Sequence, residues 1–187
     1  GLATDAEFLL ARTEKNFEPY KEEIYWMEAV EWADKNGADI VNSSLGYTSN
    51  RYFTTDMDGK TSLVSKAANM AARKGILVVN AAGNEGSGAW HVIGTPADAD
   101  SILTVGGVNP ENKLHIGFSS YGPTSDGRLK PNVSASGTAV VAGKSGFTTA
   151  SGTSFASPLT CGFAACVKEA FPELGPMELK KKIEESA

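Results

Sequence analysis

The sequence is poor in the residues that mark several protein classes: it has two cysteines, two histidines and no excess of basic charge among its 187 residues. Cys161 and Cys166 lie five positions apart in a helix-like stretch, which turns their side chains about 140° from each other around the axis. A mutual disulfide is therefore not expected, and buried free thiols are the simpler reading. No Cys/His cluster has zinc-ligand spacing, so no metal site is read from the residues. The net charge of -5, with no stretch concentrating Lys and Arg beside aromatics, argues against a nucleic-acid partner. The Lys180-Lys181-Lys182 run fits the solvated face of a terminal helix. Apolar runs such as residues 76–79 are far shorter than the roughly 20 residues a membrane span needs. Nothing at Gly1 resembles a charged-then-apolar leader, and the start reads as a truncation.

What is present is the composition of one globular unit, with 41% hydrophobic residues, 21% charged residues and 20 glycines. Residues 8–12 read as a short strand and residues 13–22 as a surface loop. Ile24, Met27, Ala29, Val30 and Ala33 then fall on one side of a helix that should stop at Asn36-Gly37. Residues 40–45 supply a buried strand, and the polar residues 47–60 a surface excursion. A second helix over residues 62–73, with Leu63, Ala67, Met70 and Ala71 as its apolar stripe, ends at Gly75, and Ile76-Leu77-Val78-Val79 enters a sheet.

Strand and helix thus alternate. The fold class that follows is α/β in three layers, a mostly parallel sheet with helices on both faces and its functional edge at the carboxyl ends of the strands. Farther along, residues 102–108 and 114–119 read as a hairpin and residues 130–137 as an extended segment. The small-residue run over residues 159–167 reads as a buried helix with Pro158 in its first turn. A last amphipathic helix over residues 176–186 should face inward through Met177, Leu179 and Ile183.

The chemistry concentrates in a few strings. Ser154 stands at the amino end of a buried helix, where its hydroxyl is exposed, its amide is free to face a developing negative charge, and the helix dipole is positive. Taken alone, such a serine also reads as an ordinary helix cap, and Asn84 alone as a turn residue. Together, Gly152-Thr153-Ser154-Phe155-Ala156-Ser157-Pro158 and Ala81-Ala82-Gly83-Asn84-Glu85-Gly86 resemble the nucleophile and oxyanion-hole motifs of the subtilisin-like serine proteases. They stand in that family's order. A third string, residues 40–46, is similar to the strand on which the family lays its substrate.

The resemblance implies that Ser154 is the nucleophile and that Asn84, with the Ser154 amide, holds the oxyanion. Ser44, Leu45 and Gly46 would line one wall of the primary specificity pocket, and Ala82 and Gly83 the other. Lys130 to Gly137 also looks like the family's segment upstream of the serine, departing at Ser136, where proline is usual. Leu159 departs as well. The resemblance runs from the strand after the family's histidine helix, matched at Gly1-Leu2-Ala3, to the helix after Ser154.

Two family motifs do not occur: the strand-end Asp-x-Gly and the His-Gly-Thr helix start that supply the acid and the base. His91 and His115 follow the oxyanion segment and read as a loop and a strand residue. Residues 1–187 are therefore expected to be the C-terminal part of one subtilisin-like peptidase domain, incomplete at its N-terminal side and inactive alone. The competing reading is a non-catalytic subtilisin-like module that binds peptides or a partner protein. A lipase-like hydrolase expects Gly-x-Ser-x-Gly, which Ala156 breaks. The resemblance further implies a peptide or protein substrate, an exported or envelope-associated parent, and calcium in some members, although no calcium ligand set can be matched. Apolar surface left bare on the partial sheet would favour self-association.

Overall fold

The structure, a computed structural model, describes residues 2–15 and 19–187. Gly1, and the middle of the expected loop at residues 13–22, lie outside the described residues. Four strands form a parallel sheet in the order β1 (Ile40–Ser43), β2 (Leu77–Ala81), β3 (Leu103–Val108), β4 (Val133–Ser136). All five residues of β2 are buried, as an inner strand covered on both faces requires. Because side chains alternate along a strand, its two faces feed two cores. Ile76 and Val78 pack with Trp26 and Val30 of α1 (Glu22–Lys35) and Val64, Ala68 and Ala71 of α2 (Leu63–Arg73). Leu77 and Val79 pack with Leu103, Val105 and Val133, under Ala156 and Ala164 of α3 (Thr153–Ala170) and Leu179 and Ile183 of α4 (Pro176–Glu185). Helices thus cover both faces, giving the three-layer α/β arrangement expected from the strand–helix alternation.

Local departures from expectation have physical causes. Residues 8–12 form no strand, and Phe8 and Leu10 are 67% and 87% exposed, since an apolar run without a ladder partner has nothing to make it a strand. In α1 the buried row is Trp26, Val30 and Ala33, while Ile24 faces out. In α2 the buried row is Val64, Ala68, Ala71 and Ala72, one position round from the expected stripe, so Leu63 and Met70 are exposed. Small alanines let this helix lie close to the sheet, and close packing outweighed bulk.

Residues 47–60 reach the surface at Ser49, Asn50, residues 53–55 and Lys60, as expected, but are also anchored inward. Tyr47 and Met57 are buried, and a 3₁₀ turn occupies Thr54–Asp56. The Arg51 guanidinium lies 4.3 Å over the Tyr47 ring and pairs with Glu22 and Glu23, so polar residues are spent inward.

The expected hairpin of residues 102–108 and 114–119 resolves into β3, an inner parallel strand, and a single Val108–His115 bridge. A hairpin does form elsewhere, between β5 (Thr138–Gly143) and β6 (Gly146–Ser151). Its Thr, Gly and Ser residues are largely exposed on both faces and carry no apolar alternation to read. In α4, Leu179 and Ile183 are buried and Met177 is exposed. Both cysteines are free; Cys161 is half-buried, and that burial pushes its thiol up to about 11, but Cys166 is exposed.

Candidate active site

Helix α3 begins at Thr153, so Ser154 lies in its first turn, where backbone amides have no intrahelical acceptor. The helix starts six residues before the expected run, which puts Pro158 inside it rather than in its first turn. Proline has no N–H to donate to the carbonyl four residues back, and that carbonyl belongs to Ser154. The Ser44 hydroxyl fills the gap, donating to Ser154 O at 3.0 Å. In return the Ser154 hydroxyl donates to Ser44 O at 3.3 Å. The end of β1 and the start of α3 are thereby stitched together across 110 residues of sequence.

Asn84 follows β2 in an exposed loop. Its Oδ1 accepts from the Thr153 amide at 2.8 Å and from the Thr153 hydroxyl at 3.0 Å. With the oxygen held from two sides, the amide orientation is fixed, and Nδ2 is the donor that remains. The same Thr153 hydroxyl accepts from the Gly83 amide at 3.2 Å. Gly83 has a φ of 111°, and a side-chain carbon there would stand 2.8 Å from Ser120 Oγ, so glycine is required on both counts.

All seven residues singled out from the sequence, Ser44, Leu45, Gly46, Ala82, Gly83, Asn84 and Ser154, line one cavity of about 130 Å³. The Asn80 side chain, fully buried on β2, donates to Leu45 O at 3.1 Å and holds that wall. The cavity also has lining residues that sequence reasoning missed: Thr48, Gly94, Ala97, Glu85 and Thr153. Gly94 and Ala97 come from the segment after His91, which Tyr47 and Thr95 pin by exchanging backbone hydrogen bonds of 2.8 and 3.1 Å. Thr153 and Glu85 could have been found, since they stand within the nucleophile and oxyanion strings; Thr48, Gly94 and Ala97 have no local signal.

Neither histidine lines this cavity. His91 Nδ1 donates to Gly86 O at 2.6 Å and its ring stacks on Tyr121. His115 donates from Nε2 to Ser119 O and accepts from the Tyr121 hydroxyl at Nδ1. Both are engaged in one aromatic cluster, with Ser154 among the partners of neither. Among the described residues no three His, Cys, Asp or Glu side chains gather as a metal ion would need.

The arrangement is a hydroxyl at a helix start beside an oriented amide and a small-residue cleft, on the carboxyl edge of a parallel sheet. The subtilase family profile matches residues 1–187, and the chain belongs to that family. It is 36% identical over 162 residues to Subtilisin DY of Bacillus licheniformis, covering 86% of this chain and 54% of that protein. It is 31% identical over 160 residues to Alkaline elastase YaB of Bacillus sp. (strain YaB), covering 86% of this chain and 38% of that protein. The chain thus spans about half or less of the length of such relatives. Among solved structures, Sphericase superposes with a TM-score of 0.66 at 28% identity over 88% of this chain and 54% of that one. A cold adapted subtilisin-like serine proteinase shares the fold, with a TM-score of 0.69 at 24% identity over 88% and 55%.

Proposed function

We propose that these residues are the C-terminal part of a subtilisin-type serine endopeptidase domain, carrying its nucleophile and oxyanion donor. The observation that carries the reading is the tether from Thr153 to Asn84, which commits Oδ1 and leaves Nδ2 as the donor of a side chain that lines the same cleft as Ser154. Ser154 would attack the scissile carbonyl to form an acyl-enzyme, with Asn84 Nδ2 and the Ser154 amide holding the oxyanion. The peptide would lie along the wall of Ser44, Leu45 and Gly46, with a side chain entering the cleft toward Ala82 and Gly83. Among the described residues neither histidine is placed to take the Ser154 proton, because both are committed elsewhere and neither lines the cleft. The acid and base would come from polypeptide outside these residues, and this chain alone would not hydrolyse peptides. Family membership supports an exported or envelope-associated parent; among the described residues no helix is long and apolar enough to cross a membrane.

The test is steady-state hydrolysis of a peptide anilide by the full-length protein. Asn84→Ala is expected to lower kcat about a hundred- to a thousandfold with little change in KM, a magnitude taken from this family's own oxyanion asparagine. Ser154→Ala should abolish the activity. A folded full-length protein that binds the peptide without hydrolysing it would point to a peptide-binding module, the reading favoured by the Ser154 hydroxyl resting on a carbonyl oxygen.

A further inference from the structure

Lys130 is 4% exposed, yet its partners are all neutral. Its Nζ donates to Ile102 O at 3.1 Å, to Thr104 Oγ1 at 2.9 Å and to Asn132 Oδ1 at 2.9 Å. An ammonium has three N–H donors and no acceptor, so these three oxygens exhaust it. Buried charges are ordinarily paired with an opposite charge or bound to a metal. Here a backbone carbonyl, a hydroxyl and a side-chain amide oxygen surround a positive centre, which is the neutral-oxygen environment that hard cations accept.

The cage is wired to its surroundings. Thr104 Oγ1, while accepting from Lys130, donates to Ala97 O at 2.7 Å, and Ala97 lines the cleft beside Ser154. Asn132 Oδ1 also accepts from the Thr104 amide, and its Nδ2 donates to Glu184 on α4 at 2.7 Å. One ammonium therefore joins the start of β3, the approach to β4 and the cleft wall. Burial, with Lys180 and Arg128 nearby, pushes its pKa down to about 7, while Asp100 and Asp98 pull the other way. Below that pH the charged form prevails.

We infer that the Lys130 ammonium is a built-in structural cation, filling an oxygen cage that would otherwise accept a small external cation, and that it fixes the cleft wall through Thr104 and Ala97. The inference is independent of the peptidase reading, because stability alone tests it. The experiment compares thermal melts of the full-length protein and its Lys130→Ala variant at pH 6, in methylammonium or tetramethylammonium chloride at equal ionic strength. Methylammonium restores N–H donors, whereas tetramethylammonium brings only charge and bulk.

The variant is expected to melt about 5 °C lower, as orphaned buried acceptors would cause. It should regain a good part of that loss saturably in methylammonium alone, with the unsubstituted protein indifferent to the choice. Lys130→Met, which fills the space without donors, should not respond. Absence of a loss in Lys130→Ala, or equal responses to both salts, overturns the inference. Should the variants not fold, nitrogen-15 NMR of the unsubstituted protein at pH 6 decides. A Lys130 NH₃⁺ protected from water exchange is expected, and a neutral or freely exchanging amine overturns it.

Discussion

The Thr153 hydroxyl donates to Asn84 while accepting from Gly83, so its removal would loosen the asparagine and leave an amide without its partner. In the full-length protein, Thr153→Ala is expected to lower kcat about tenfold, the cost of roughly one such hydrogen bond, while Thr153→Ser should retain most activity. Peptide anilide kinetics check this, and equal losses in the two variants would contradict it. At this scale the sequence was informative where chemistry sits in short strings: the strings around Ser154 and Asn84 point to themselves. What they could not reveal is that Thr153 and Asn84 are partners, because a separation of 69 residues is closed only by the fold. Gly94 and Ala97 were illegible for the same reason. Small residues in a loop acquire meaning only when Tyr47 and Thr95 pair and bring the loop to the cleft.

Helix α3 and strand β1 meet at a defect that one of them carries and the other repairs. Pro158 withholds the donor for Ser154 O, and the Ser44 hydroxyl provides it. Ser44→Ala should therefore destabilise the chain by about 1–2 kcal/mol through an orphaned carbonyl. In a Pro158→Ala background, where the helix can supply its own N–H, that cost should shrink by at least half. Urea unfolding of the four proteins in a double-mutant cycle measures the coupling, and additive losses would contradict the repair. The elements read well from sequence were those with strong periodicity and clear stops, such as β2, and α2 ending at Gly75. Those misread had signals that more than one structure satisfies. An apolar run at residues 8–12 fits a strand only if a partner is beside it, and the alternation at residues 102–108 fits an inner parallel strand as well as a hairpin arm. The stripe of α2 shifted by one position because small alanines, not the bulkier Leu63 and Met70, allow close approach to the sheet.

Over the whole molecule, buried ionisable groups set the pH dependence of stability. Lys130 titrates at about 7 when folded and near 10.4 when unfolded. Between these values the unfolded chain holds more protons, so stability rises with pH across that window, by at most about 1.4 kcal/mol per unit from this residue. Burial raises the Asp98 carboxyl, which gives the opposite sign at acid pH: its contribution is present below the ordinary carboxylate range and lost as pH rises through its folded value. Urea midpoints between pH 7 and about 8.5, below the range in which the Cys161 thiol contributes with the opposite sign, should climb in the unsubstituted chain and flatten in Lys130→Met; a parallel climb in both would contradict the assignment. Phe8, Leu10, Phe147 and Phe163 leave apolar surface in solvent. Concentration-dependent association is therefore expected in sedimentation velocity, and a strict monomer up to high micromolar concentration would count against it.

The central claim is that Ser154 is an activated nucleophile in the full-length protein but inert in these 187 residues alone. Covalent labelling by a serine-directed fluorophosphonate, read by intact mass, tests it most directly. One label is expected on the full-length protein, none on its Ser154→Ala variant and none on the isolated chain. An unlabelled, folded full-length protein, or a label that survives Ser154→Ala, would contradict it.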